Sequence, residues 1–166
     1  GRSFSGYVRH NIEAMQRLLE AAKGSALRRI VFASSSSVYG LTRDLPMTES
    51  SAVKPLSPYG VTKLAAEALC VLYAKNFGLP AVSLRFFTVY GPGQRPDMAF
   101  HKFFRAVRNG QPITVYGSGR QTRDFTYVDD IVEANIAALK RGRAGEVYNI
   151  GGGHREALSR LFPLIE

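Results

Sequence analysis

The chain has 166 residues, 45% of them hydrophobic and 21% charged, a balance that supports a substantial hydrophobic core and excludes disordered and fibrous classes. Its 22 Lys and Arg against 13 Asp and Glu give a net charge of +9, but they form no basic run of five, so the charge indicates a solvated surface with an anionic small-molecule site, not a nucleic-acid face. No apolar run approaches the roughly eighteen residues of a membrane span or opens the chain as a leader, and the lone Cys70, which can form no internal disulfide, predicts a reducing, cytoplasmic setting and buried packing.

From Tyr7, the apolar residues Val8, Ile12, Met15, Leu18, Leu19 and Ala22 recur at helical spacing, and Gly24 is placed to end an amphipathic helix. Leu27 to Ala33 is short, continuous and β-branched, as a buried strand should be, and it runs into the hydroxyl cluster Ser34 to Ser37. Residues Leu41 to Leu56, with Pro46 and Pro55 and no period, form a loop. Pro58 suits the first turn of a second helix, whose apolar stripe from Val61 through Leu64, Ala65, Ala68, Leu69, Leu72 and Tyr73 reaches Phe77-Gly78. Ala81 to Phe87 is another strand. Strand, helix, strand at this spacing argues a parallel βαβ unit, in which ligands collect beyond the carboxyl ends of the strands. The serines and Thr88 both fall at such ends.

Beyond Pro96 the pattern predicts a helix over Met98 to Asn109, a short strand at Ile113 to Tyr116, a turn at Gly117 to Gly119 and an extended piece at Asp124 to Tyr127. A helix follows from Val128 to Leu139, where Asp129 and Asp130 suit the positive first turn. Glu146 to Ile150 is a strand stopped by Gly151-Gly-Gly153, and a last helix is expected to begin near Glu156. No internal repeat is present.

The chemistry concentrates at Ser34 to Ser37 and at Ser57-Pro-Tyr-Gly-Val-Thr-Lys63. Tyr59 and Lys63 stand four apart, which puts a phenol and an ammonium on one helical face. A phenol is a poor base at neutral pH. A neighbouring ammonium favours phenolate, and a strand-end hydroxyl can share its proton, so the three groups together make a proton-transfer site.

The array Phe32-Ala-Ser-Ser-Ser-Ser-Val-Tyr-Gly40, Ser57 to Lys63, Leu84-Arg-Phe-Phe-Thr-Val-Tyr-Gly-Pro92, Arg123-Asp-Phe-Thr-Tyr-Val-Asp-Asp130 and Val147-Tyr-Asn-Ile-Gly151 resembles, in order and over nearly the whole chain, the extended short-chain dehydrogenase/reductases that act on nucleotide sugars. The resemblance implies that Tyr59 is the catalytic base. Lys63 lowers its pKa and binds the nicotinamide ribose of NAD, and Ser35, three residues before Val38, bridges sugar hydroxyl and phenol. Asn11, Ser34, Phe86 and Val89, with Phe87, are implied on the cofactor side. Ser36 and Ser37 occupy the place of the Asp-Glu pair with which the family's dehydratases expel water; serine cannot protonate a leaving hydroxyl in that way, and Ser37 is placed to touch substrate.

Thr88 to Ala99 resembles the uronate-type 4-epimerases, in which an Arg before Pro-Asp-Met pairs with the sugar carboxylate. That role falls to Arg95, assisted by Thr88; a guanidinium meets a planar carboxylate with two hydrogen bonds. Arg123 matches the diphosphate-binding Arg, with a buried Arg-Asp pair as the alternative, and Tyr116 would flank the uracil. The family's Gly-x-x-Gly-x-x-Gly dinucleotide turn is absent, so the chain is expected to be part of a longer enzyme.

The expected fold is α/β: the C-terminal part of a Rossmann-type parallel sheet with helices on both faces, plus a small substrate-binding region. The division is placed at residues 1–95 and 96–166, with elements between Asp124 and Ile150 partly returning to the main fold. The expected reaction is NAD-dependent 4-epimerisation of a UDP-sugar, favouring UDP-glucuronate, with no metal. A UDP-glucuronate decarboxylase, a sugar-nucleotide dehydratase and a catalytically silent subunit are the alternatives. A homodimer through helices 8–22 and 59–77 is implied.

Overall fold

The computed structural model of the chain describes residues 3–42, 45–115 and 117–165. They divide into two compact units. One runs up to Phe86 and includes Val132–Ile150; the other comprises Phe87–Ile131 and the residues from Gly151 onward. The first unit is interrupted after Phe86, and of the elements between Asp124 and Ile150 the part from Val132 onward belongs to it.

In the first unit, the Ser3 hydroxyl accepts from the Gly6 N–H at 3.3 Å and starts α1 (Phe4–Tyr7). The single helix expected over Tyr7 to Ala22 is interrupted. Val8–Glu13 winds as a wider π-type segment before ordinary turns resume in α2 (Ala14–Ala22). Such segments re-aim side chains and are frequent at functional sites. β1 (Ile30–Ser35) begins later than Leu27, because the first ladder bond is made by the Ile30 N–H to the Pro80 carbonyl at 2.9 Å, and it extends into the serines. Ser36–Val38 forms a 3-10 turn. Ser57 caps α3 (Pro58–Phe77), accepting from the Gly60 N–H at 3.0 Å, and Gly78 ends it in the left-handed conformation, φ 65°.

β2 (Ala81–Phe86) lies between β1 and β5 (Val147–Ile150) in an all-parallel sheet of order β1-β2-β5, with Ser35 opposite Phe86 and Ser83 opposite Val147. Strand alternation divides the core. Ala81 packs with Met15, Leu19 and Ala22 of α2 and Ala66, Cys70 and Tyr73 of α3. Val82 and Leu84 pack on the opposite face with Ala138 of α5 (Val128–Arg141). The sheet is therefore covered on both faces, as continuous apolar strands require. Cys70 is 1% exposed. Burial is the main cause that pushes its thiol up to about 11, so it is a packing residue.

The second unit is built on β4 (Thr122–Tyr127). It pairs in parallel with β3 (Thr88–Tyr90) and antiparallel with β6 (Arg155–Ala157). α4 (Ala99–Arg108) also belongs to this unit. Two expectations fail here. Ile113 to Val115 has no ladder partner among the described residues and is irregular. The helix expected near Glu156 is instead strand β6, held by pairing of Arg123 with Glu156; helical turns follow only at Leu158–Arg160 and in α6 (Phe162–Ile165). The Asp124 carboxylate accepts the Gly152 and Gly153 N–H groups at 2.6 and 3.0 Å, which explains the glycines: a Cβ on Gly151 would lie 2.9 Å from Asp124 Oδ2.

Candidate active site

The first unit brings Ser35, Tyr59 and Lys63 to the carboxyl end of β1. Ser35 is 9% exposed. Its Oγ donates to Ser37 Oγ at 3.1 Å and accepts from the Ser37 N–H at 3.2 Å, so it caps the 3-10 turn carrying Ser36 and Ser37. Tyr59 is 37% exposed, and its ring meets that of Tyr7 edge to face at 6.1 Å. Lys63 Nζ donates to the Ala33 carbonyl at 2.8 Å and lies 5.0 Å from the Phe32 ring centre and 5.7 Å from that of Tyr59. Burial lowers the pKa of this ammonium.

Asn11, in the π-type segment, donates to Thr62 Oγ1 at 2.9 Å, and the Thr62 hydroxyl donates to the Tyr59 carbonyl at 3.0 Å. The Asn11 side chain is thus tied to the backbone of the tyrosine. Ser34 points inward, 3% exposed, and donates to Glu67 Oε2 at 2.7 Å, so its hydroxyl is engaged in the core and its backbone lies in the ladder with β2. Phe86 ends β2 and packs with Val82 and Leu84.

In the second unit, Thr88 and Val89 pair with Phe125 and Thr126. Arg95 stands out, its side chain 70% exposed, with Nη2 donating to Asp97 Oδ2 at 3.1 Å. Arg123 is exposed and donates to the Thr122 carbonyl at 2.9 Å, while Asp124 holds Gly152 and Gly153; the buried Arg-Asp alternative is not formed. Tyr116 lies outside the described residues. An open groove of about 850 Å³ within this unit is lined by Tyr90, Phe100, Phe104, Arg105, Arg108 and Tyr127 among others, and none of the expected site residues among the described ones lines it.

Sequence reasoning missed the polar network beneath Ser35. Glu67 and Arg85, 3% and 5% exposed, form a two-pronged ion pair, with Arg85 Nη2 to Oε1 at 2.6 Å and Nε to Oε2 at 3.0 Å. Arg85 Nη1 donates to Tyr39 Oη at 2.7 Å, and Tyr39 donates to Asn149 Oδ1 at 2.7 Å. Burial opposes the charge on Arg85, but the hydrogen bonds to Glu67 and Tyr39 outweigh it and raise its pKa. The available signal was a charged residue inside each of two apolar patterns, the stripe of α3 and the strand β2. Among the described residues no group of three or more His, Cys, Asp or Glu gathers as a metal site.

Residues 2–151 match the NAD dependent epimerase/dehydratase family. The chain belongs to that family. It is 50% identical over its whole length to an uncharacterized UDP-glucose epimerase of Bacillus subtilis, covering 52% of that protein. It is 40% identical over 96% of its length to a UDP-glucuronate 4-epimerase of Thermodesulfobacterium geofontis, covering 50% of it. Among solved structures, UDP-glucuronic acid 4-epimerase of Bacillus cereus, in complex with UDP-glucuronic acid and NAD, superposes with a TM-score of 0.94 at 48% identity, over 100% of this chain and 53% of that one. The fold is therefore Rossmann-type, and the chain spans about half the length of the curated relatives it matches.

Proposed function

We propose that the protein carrying this chain is an NAD-dependent 4-epimerase of a UDP-sugar, with UDP-glucuronate and UDP-galacturonate as its pair of substrates. The observation that carries the reading is Tyr59 and Lys63 on one face of α3, with Lys63 bonded to β1 two residues before Ser35. Tyr59 takes the proton of the sugar 4-hydroxyl, Lys63 favours its phenolate, and Ser35 holds the hydroxyl and shares the proton. Lys63 spends one ammonium donor on Ala33 and has two left, which fits the hydroxyls of a cofactor ribose. NAD held there would supply a reversible hydride acceptor for C4 of the sugar, so the net redox change would be zero. Asn11, Ser34, Phe86 and Val89 complete the cofactor side. Ser36, Ser37, Thr88, Arg95, Tyr116 and Arg123 make up the substrate side.

The relatives support this assignment. The Bacillus cereus enzyme has also been solved as a tyrosine-to-phenylalanine mutant with a fluorinated UDP-glucuronic acid and NAD. A dTDP-glucose 4,6-dehydratase of Streptomyces venezuelae shares the fold at a TM-score of 0.92 and 31% identity, so fold alone does not choose the reaction. Ser36 and Ser37 choose against dehydration, because neither can act as a carboxylic acid.

A homodimer through helices 8–22 and 59–77 belongs to the same reading, supported by the exposure of Leu18, Val61, Leu72 and Phe77 on these helices. A cytoplasmic setting is supported by a single cysteine that is buried and unpaired. No helix among the described residues is long and apolar enough to cross a membrane. The deciding experiment follows the whole protein with NAD and UDP-glucuronate by proton NMR. UDP-galacturonate is the expected product; UDP-xylose from UDP-glucuronate, or a 4-keto-6-deoxy sugar from UDP-glucose supplied in a parallel reaction, would overturn the assignment.

A further inference from the structure

Ser35 occupies a short segment whose two ends are fastened to the same buried ion pair. At one end, the Ser34 hydroxyl donates to Glu67 Oε2 at 2.7 Å. At the other, Tyr39 Oη accepts from Arg85 Nη1 at 2.7 Å. Glu67 and Arg85 are joined by two hydrogen bonds of 2.6 and 3.0 Å, so the two anchors cannot move independently. Between them lie Ser35 and the turn Ser36–Val38. Strand alternation puts Ser35 on the face of the sheet opposite to Ser34, so the bond that holds Ser34 also sets the direction in which Ser35 projects.

The anchor is registered against the tyrosine. Tyr59, Lys63 and Glu67 succeed one another at intervals of four on α3, each about 40° around the helix from the last, and so share one face. Lys63 binds the carbonyl of Ala33, and Glu67 binds the hydroxyl of the next residue, Ser34. Strand and helix are therefore joined at two consecutive strand residues, immediately before Ser35. A buried ion pair adds little stability over an apolar pair of similar volume. What Glu67 and Arg85 add is geometry, because apolar side chains offer no directional hold on two hydroxyls.

We infer that Glu67 is a positioning residue, which with Arg85 acts through Ser34 and Tyr39 to hold the Ser35 hydroxyl in line with Tyr59. The inference rests on the functional reading above for its consequence in turnover, but not for the brace itself, which can be measured without substrate.

The test uses S34A and Y39F, each of which removes one tether and leaves the ion pair in place, with S34T as the variant that restores a hydroxyl. Amide hydrogen exchange is the first readout. Protection of the Ser37 N–H, which is bonded to Ser35, should fall about tenfold in S34A while that of Ala66 and Cys70 in α3 holds. In the whole protein, kcat should fall by about ten- to a hundredfold in S34A and Y39F with KM for the UDP-sugar within about twofold, and S34T should recover most of the loss. Unchanged protection at Ser37, or unchanged kcat in an active protein, would overturn the inference. Loss of protection in S34A with a wild-type protein that turns over no UDP-sugar would establish the brace and sink the functional reading alone.

Discussion

Gly60 lies directly under Ser37: a Cβ built on it would stand 2.6 Å from the Ser37 carbonyl oxygen and 3.0 Å from Pro55 Cβ. The first turn of α3 thus touches the backbone of the serine turn, and the residue after Tyr59 must be glycine for the two to meet.

Replacing Gly60 by alanine should therefore destabilise the chain by about 1–3 kcal/mol through overpacking, although alanine is the better helix former by about 1 kcal/mol. The obstacle is backbone, which cannot turn aside as a side chain could. Urea unfolding of the G60A chain measures this, and an unchanged or raised midpoint would show that the two elements can part without cost.

Lys63 gives a pH signature. Burial holds its pKa in the folded chain below the ordinary lysine value, so the unfolded chain binds this proton more tightly. The destabilisation is fully present below the folded pKa, and stability rises with pH between that pKa and the ordinary value. K63M removes the penalty. The stability of K63M relative to wild type should be greatest near pH 7 and shrink as pH approaches about 10, while turnover is lost. Urea melts at several pH values check it; a difference independent of pH would refute it.

The Glu67–Arg85 pair predicts an asymmetry between single and double substitution. E67A leaves a buried guanidinium unpaired and should cost about 3–5 kcal/mol, whereas E67L with R85M should restore most of that loss. A double-mutant cycle by chemical denaturation reads both. Additive losses would mean that the two side chains do not depend on each other.

Arg95 is tested through substrate choice. Among the described residues Arg95 is held only through Nη2, by Asp97 and Met98 at an exposed position, so its guanidinium can exchange these contacts for a carboxylate. R95M should lower kcat/KM for UDP-glucuronate by about a hundredfold, equivalent to about 3 kcal/mol, and for UDP-glucose far less. R95K should recover little, because an ammonium lacks the planar fork. Equal losses on the two sugars would remove Arg95 from carboxylate recognition.

Much of this protein can be read from its residues in order. The periods of α3 and β2, the hydroxyl run after β1 and the Tyr59–Lys63 spacing are local properties, and local patterns specify helices, strands and the face on which a side chain falls. Pairing is not local. Ile113 to Val115 has strand composition but no ladder partner among the described residues, whereas Arg155 to Ala157 looks helical and becomes a strand because Thr122 to Asp124 lies beside it. The sequence by itself determined the parallel α/β core and the placing of Tyr59 and Lys63 on one helical face. Only the tertiary structure decided that Ser34 faces inward to Glu67, that Asn11 reaches Tyr59 through Thr62, and that one buried ion pair anchors both ends of the serine turn. Each of these joins residues at least 18 apart in the chain, and no periodicity can report a contact of that kind.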